Sequence, residues 1–235
     1  MMNPGGSTVA GQRPRVAVHD PRMPGLSLRD AFLIFTRQRS ARIITVLLVT
    51  TVAARLAAGS LSGWDLAVVA ALLAMHPFSE WVIHVGVLHW RPRRLGRWTI
   101  DTELAREHRN HHQAPHDPRH WFMPMRGTLS GFVIAAVVVA LIAPTFELWL
   151  SFLVGVAAIG LVYEWTHYLC HTSYRPRGRL YRRLWRHHRL HHFKNEHYWM
   201  GVTMHLGDRV LRTMPSPRAV KTSPTCRNLL GRSGD

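Results

Sequence analysis

The stretch WTHYLCHTSYRPRGRLYRRLWRHHRLHH, residues 165–192, decides how the rest of the chain is read. It carries His167 and His171 four apart, then His188, His191 and His192 at offsets of three and four. On an α-helix such offsets share a face, so each cluster is expected to aim its imidazoles at one point. Working outward, the same H-x-x-H-H spacing recurs at His108, His111 and His112. His84 and His89 precede it with a spacing of five. That spacing leaves the helical stripe, which predicts that the helix ends or bends between them. Imidazole is a ligand suited to iron, zinc and copper. A lone histidine is usually a solvated or satisfied side chain, but ten in repeated ligand spacings are poorly explained that way. They exceed the roughly four ligands of a single zinc and suit two metals, with positions left for oxygen or water.

The composition places these clusters in a membrane protein. The 235 residues are 47% apolar, yet the net charge is +17. The two properties are segregated into very apolar and very basic stretches. A basic balance first suggests nucleic acid, but no recognition motif accompanies the charge, and no nucleic-acid partner is expected. Cys170 and Cys226 form neither a disulfide framework nor a C-x-x-C site, which fits a reducing, cytoplasm-facing environment. Residues 1–26 are polar and rich in Pro and Gly, with no apolar core of a signal peptide, and are expected to be a disordered tail.

Ser27 opens S-L-R-D, a helix start with Asp in the place of the capping-box Glu. Phe32, Leu33 and Phe35, interleaved with Arg29, Arg37 and Arg39, fit an amphipathic helix in the headgroup layer, or an extension of the next helix. Four apolar spans follow: Ile43–Ala58, Asp65–Trp90, Thr128–Ala143 and Thr145–His171. Arg55, near the far end of the first, is expected to snorkel to the interface. Residues 214–235 contain Pro, Ser and Gly throughout and are expected to be a second disordered tail, leaving 27–213 as one domain. Of the 30 Lys and Arg, every one but Arg55 lies outside the two hairpins. The positive-inside rule then predicts that both termini and all four histidine clusters are cytoplasmic. The expected fold is all-α and integral to the membrane, with four transmembrane helices in two hairpins beneath a cytoplasmic histidine-rich helical cap.

The clusters H-V-G-V-L-H (84–89), H-R-N-H-H (108–112), H-Y-L-C-H (167–171) and H-R-L-H-H (188–192) together resemble the motif set of the fatty acid hydroxylase/sterol desaturase superfamily. H-R-N-H-H-Q-A-P-H-D-P-R-H-W-F-M-P resembles the corresponding segment of fatty acid 2-hydroxylases, and G-V-T-M-H-L-G-D-R-V-L-R-T resembles the family's G-V-T…D…T ending. The similarity covers roughly residues 65–213. It implies a membrane di-iron oxygenase that hydroxylates a lipid acyl chain with O2 and external electrons. The cofactors implied are two iron ions, which zinc can replace in a purified sample. The ligands implied are His84, His89, His108, His111, His112, His167, His171, His188, His191 and His192. Gly207 departs from the pattern, since the hydroxylases usually carry an aromatic residue there. No haem electron-donor domain is evident ahead of the spans, so electrons are expected from a separate carrier such as a ferredoxin or a small haem protein, with oligomeric state left open.

Glu164 lies three residues before His167 and Glu80 four before His84, so either carboxylate could orient an imidazole through its second nitrogen. The competing reading for both is an ordinary ion pair on a helix face. His76 is expected to be structural; His187 falls off the ligand stripe; His116, His120, His197 and His205 could line the site. Trp165, Tyr168 and Trp199 are expected to be packing or interfacial anchors. Desaturation of the lipid, or action on a sterol or carotenoid, would use the same centre. A membrane metal transporter or metal-binding protein is the rival of another class, but transport calls for ligands at mid-membrane.

Overall fold

The computed structural model describes Arg22 and residues 24–230. The N-terminal tail expected over residues 1–26 lies outside the described residues, except for Arg22 and residues 24–26.

The first helix, α1 (Leu28–Phe35), is capped by Ser27, whose Oγ accepts from the Asp30 backbone N–H at 3.1 Å and donates to the Asp30 carboxylate at 2.6 Å. It is a separate element rather than an extension of α2 (Arg39–Ala57), and it buries Ala31, Ile34 and Phe35. Phe35 meets the Trp165 ring edge-on at 5.0 Å and the Tyr168 ring at 5.7 Å, so Trp165 and Tyr168 serve as packing residues. Phe32 and Leu33 on the other face stay exposed.

Among the described residues, four helical segments are long and apolar enough to cross a bilayer: Arg39–Ala57, Gly63–Leu88, Pro118–Ala140 and Phe146–His171. They comprise α2, α3 (Gly63–Ile83) with its continuation, α5 (Met125–Ala140) with the short turn before it, and α6 (Phe146–His171). Their outer surfaces are apolar: Val46 and Val49 on α2, Leu66 and Met75 on α3, and Val133 and Ile134 on α5 are all more than half exposed. In water such a surface would drive aggregation; in a bilayer it is simply wetted by lipid. The α6 helix packs against α2, α3 and α5. At Gly155 a β-carbon would collide with the Leu72 side chain, so a small residue lets α3 and α6 approach closely.

The end of this bundle remote from the histidines is tied by a buried ion pair. Arg55 donates to both Asp65 oxygens at 2.7 Å, to Ser151 Oγ at 2.9 Å and to the carbonyls of Gly59 and Ser60 at 3.2 Å. Arg55 therefore does not snorkel outward as expected. A carboxylate on α3 and a hydroxyl on α6 turn it inward, so α2, α3 and α6 share one polar knot.

At the other end sit α4 (Glu103–Gln113), α7 (Arg179–Phe193) and α8 (Leu206–Val210). The basic segment between α3 and α4 holds a small hairpin, β1 (Arg93–Leu95) paired antiparallel with β2 (Trp98–Ile100). Gly96, at φ +60°, supplies the left-handed residue that its tight turn needs. The C-terminal segment also differs from expectation. Residues 214–230 are packed against the cap: the Ser223 N–H donates to the Lys194 carbonyl at 2.8 Å, and Leu229 is buried. Composition suggested a tail without enough apolar surface to fold alone, but the segment orders on a surface that α7 provides.

Candidate metal centre

The five-residue spacing of His84 and His89 is resolved by a change of helix type. The chain continues past α3 as a π-turn, His84–Leu88, in which the His89 N–H donates to the His84 carbonyl at 3.0 Å. An i→i+5 turn brings back to one side two residues that an α-helix would separate. The two rings sit 5.0 Å apart. The helix ends between the two histidines, as the spacing predicted, with Leu88 its last residue and His89 its cap, but it widens into the π-turn before it stops.

Each H-x-x-H-H cluster divides rather than converging on one point. His84, His89, His108, His112 and His191 form one group, and His111, His167, His171, His188 and His192 form the other; within each, the candidate ligand atoms lie within 4.8 Å of one another. Successive residues on an α-helix are about 100° apart, so the adjacent histidines of a cluster face different ways. From α4, His108 and His112 go to the first group and His111 to the second. From α7, His188 and His192 go to the second and His191 to the first. The π-turn supplies the other two rings of the first group, and the end of α6 those of the second.

Backbone carbonyls orient half of these rings. Nδ1 donates to a carbonyl in His84 (Met200, 2.6 Å), His112 (Cys226, 2.8 Å), His167 (Trp121, 2.9 Å), His171 (Pro115, 3.0 Å) and His191 (Tyr198, 2.9 Å). A carbonyl only accepts, so each Nδ1 carries the proton and each Nε2 of the neutral ring presents a lone pair. His112 Nε2 and His191 Nε2 then face each other at 3.2 Å as two bare acceptors. Protonation does not relieve this. Burial pushes His112 down to about 3, and burial followed by the neighbouring imidazoles holds His89, His108, His111, His188, His191 and His192 well below the ordinary value. All remain neutral at physiological pH, which is the form that binds metal.

The model of one protein family, fatty acid hydroxylase, matches residues 69–213, which include all ten of these histidines. The chain belongs to the fatty acid hydroxylase family. Searches of curated proteins and of solved structures each returned no match. Membership makes this chain an oxidoreductase of a metal-dependent, lipid-hydroxylating family, and its four apolar helices make it an integral membrane protein.

The residues present fit metal ions. Paired acceptors at 3.2 Å (His112 and His191) and the buried His89 Nε2, which has no hydrogen-bond partner among the described residues, call for a cation. An all-nitrogen donor set suits a borderline transition metal rather than magnesium or calcium.

Glu80 and Glu164 are placed differently from the expectation. Neither bonds to the histidine it was expected to orient, because the Nδ1 of each ring is already taken by a carbonyl. Glu80 accepts from the N–H groups of Val202 and Thr203 at 3.0 and 2.9 Å, and from Thr203 Oγ1 at 2.9 Å. It thereby holds the loop whose Met200 carbonyl orients His84. Glu164 accepts from the Met123 N–H at 3.1 Å, two residues from the Trp121 carbonyl that orients His167. Each carboxylate acts on an imidazole through a loop.

Asp208, which sequence reasoning noted only as part of a motif, is the third such anchor. It accepts from Met200 N–H (2.9 Å), Gly201 N–H (2.7 Å), His187 Nε2 (2.8 Å) and Thr213 Oγ1 (2.5 Å). Burial would raise its carboxyl, but these bonds outweigh it and hold the group below its usual value. The bonds also stabilise Trp199, a buried residue in the left-handed region at φ 59°. That conformation lets Tyr198 and Met200, on either side, serve two different rings of one group.

Other histidines stand apart from both groups. His76 bonds to Thr203 Oγ1 at 2.7 Å, in keeping with a structural role. His187 pairs with Asp208 and stacks on His205 at 4.0 Å. His116 stacks on Phe193, His120 lies 3.3 Å from Glu107, and His197 is exposed beside Glu196. The supporting carbonyls at 115, 121, 198, 200 and 226 were not foreseen, because every residue type has a carbonyl and none leaves a signal.

Two cavities reach the histidines. One of about 340 Å³ opens on His89 and is lined by Trp81, Val85, Met200 and Leu229, with Arg91, Glu196 and His197 supplying its polar residues. The other, only about 20 Å³, touches His108, His111 and His167 beneath Phe122 and Tyr163.

Proposed function

We propose that this protein is a di-iron oxygenase that hydroxylates a fatty acyl chain of a membrane lipid. The single observation that carries this reading is the pair of five-imidazole groups at one end of the spanning helices, with backbone carbonyls fixing the inward nitrogen of half of the rings as a lone pair. His84, His89, His108, His112 and His191 would hold one ion, and His111, His167, His171, His188 and His192 the other. When bound, the two ions supply the reductive activation of O2 needed to place one oxygen atom in a C–H bond, the second leaving as water with two electrons and two protons supplied from outside.

The chain's own residues set up that reaction. The carbonyl bonds fix ring orientation before any metal arrives, so little rearrangement is required on binding. Burial of the rings excludes bulk water. The cavity beside His89 offers an acyl chain an apolar wall of Trp81, Val85, Met200 and Leu229, level with the end of α3. A separate carrier, a ferredoxin or a small haem protein, supplies electrons, and the basic residues around the cap favour an acidic one. The distribution of Lys and Arg supports placing the centre and both termini on the cytoplasmic side. Transport is disfavoured because the histidines gather at helix ends rather than along a path through the spans.

The test is expression in iron-supplied cells, followed by elemental analysis and mass spectrometry of lipids. Two iron atoms per chain and an acyl product with one added oxygen are expected. Loss of two hydrogens instead would identify desaturation, and a metal-loaded protein that leaves all lipids unchanged would overturn the oxygenase reading. Leu229→Trp, which fills the cavity from the C-terminal segment, should lower turnover while the metal content holds; unchanged turnover would move the substrate route elsewhere.

A further inference from the structure

A third cavity, of about 390 Å³, lies between α7 and α8 and touches none of the ten histidines. Arg183, Arg186, His187 and Leu190 face it from α7, at offsets of three, four and seven that make one helical stripe. His205 and Arg209 close it from the other side, and Trp199, Met214, Pro215 and Pro217 complete its wall. Three guanidinium groups meet here with no carboxylate in the lining. None of the three forms an ion pair among the described residues, unlike Arg55, Arg109 and Arg119, which are matched with Asp65, Asp101 and Asp117. Asp208 lies behind the wall, but His187, Thr213 and two backbone N–H groups occupy it. The His205 Nε2 is buried and has no hydrogen-bond partner among the described residues.

The position of α8 identifies the ligand. Gly207 packs its backbone on the Pro77 carbonyl of α3, where a β-carbon would collide. Pro77 precedes His84 by seven residues, so α8 lies about 10 Å back along the spanning helix from that histidine, on the bilayer side of it. At this depth Leu206, Val210 and Leu211 are exposed beside the cationic cavity. An apolar rim next to convergent arginines is the surface that a headgroup with attached chains would fill, and a soluble acidic protein would leave the rim in water. We infer that the cavity between α7 and α8 binds the phosphate of an anionic phospholipid, with Arg183, Arg186 and Arg209 as its charge-bearing contacts. The inference rests on the membrane placement of the chain and not on the oxygenase chemistry.

The test uses the full chain, purified in detergent, delipidated and titrated with phosphatidylglycerol, with retained lipid counted by native mass spectrometry. Arg183→Gln/Arg186→Gln/Arg209→Gln should weaken binding on the order of a hundredfold, since each arginine near a membrane surface contributes roughly fivefold. Metal content, read on the same samples, should not change. Arg93→Gln/Arg94→Gln/Arg97→Gln in the hairpin removes the same charge and should leave binding within about twofold. Should the triple variant fail to fold, Arg186→Gln alone should still cost roughly fivefold. Phosphatidylcholine and inorganic phosphate should bind much more weakly than phosphatidylglycerol. Equal loss in the hairpin variant would overturn the site in favour of diffuse charge, and inorganic phosphate binding as tightly as the lipid would overturn the lipid assignment.

Discussion

The division of each H-x-x-H-H cluster between two groups makes a prediction that cluster-by-cluster reasoning would not make. His112 and His191 come from different clusters, 79 residues apart, yet their Nε2 atoms lie 3.2 Å apart in one group. His111 and His112 are neighbours in sequence but belong to different groups. If each group holds one metal, His112→Ala/His191→Ala strips two ligands from a single site and leaves the other five-nitrogen set untouched. His111→Ala/His191→Ala takes one ligand from each. Loss of an outer-shell partner alone weakens a metal site roughly 10- to 100-fold. Two ligands lost from one site should therefore cost at least roughly 10²- to 10⁴-fold, or about 2.7–5.5 kcal/mol. The first double variant is expected to retain one iron atom per chain after gel filtration in a weak chelator. The second should retain fewer, because both sites are damaged. Elemental analysis reads the ratio directly, and circular dichroism checks that both variants remain helical. Identical metal content in the two variants, or a complete loss in the first, would refute the reciprocal division.

Three further outcomes follow from the supporting structure. Glu80→Gln keeps the shape of the side chain but leaves one acceptor oxygen where there were two, so the N–H groups of Val202 and Thr203 on one oxygen and the Thr203 hydroxyl on the other can no longer all be received; metal retention against a chelator should fall roughly 10- to 100-fold, and unchanged retention would show that loop 200–203 holds its form without that carboxylate. Gly207→Ala places a β-carbon against the Pro77 carbonyl, and backbone on both sides leaves little room to yield; a loss of about 1–3 kcal/mol is expected, read as a lower melting temperature, and an aromatic residue there should fold worse still. The metal-stripped protein should lose stability as pH falls. Its buried histidines, with His112 at about 3, titrate below the unfolded value of about 6.5, so between those limits the unfolded chain binds more protons than the folded one. The melting temperature should drop steadily from about pH 7 to about pH 4.5, and a flat profile would argue that the apo protein already exposes its histidines.

What the sequence determined alone was whatever depends on neighbours along the chain. Four apolar stretches, the basic segments between them, and histidines at offsets of three and four can each be read from local periodicity. They were enough to predict the spanning helices and to mark the ten rings as candidates, while the resemblance to the family rested on the motifs those rings sit in. Where the spacing left the α-helical stripe, at His84 and His89, the sequence signalled an irregularity but not its form, because ending, bending and widening a helix all begin from the same offset. Tertiary structure decided which imidazole faces which. His111 and His112 differ by about 100° around one helix, and only the placement of α4 against α7, the π-turn and the end of α6 turns that angle into two groups of five. It also decided what holds the rings. Five backbone carbonyls do so, one of them from a C-terminal segment whose composition pointed to disorder, and a carbonyl has no side-chain signature to be read in advance. Arg55, Glu80 and Glu164 followed the same rule: their charge was visible in the sequence, but the partners that neutralise or occupy them lie on other elements, up to 123 residues away in the case of Glu80 and Thr203.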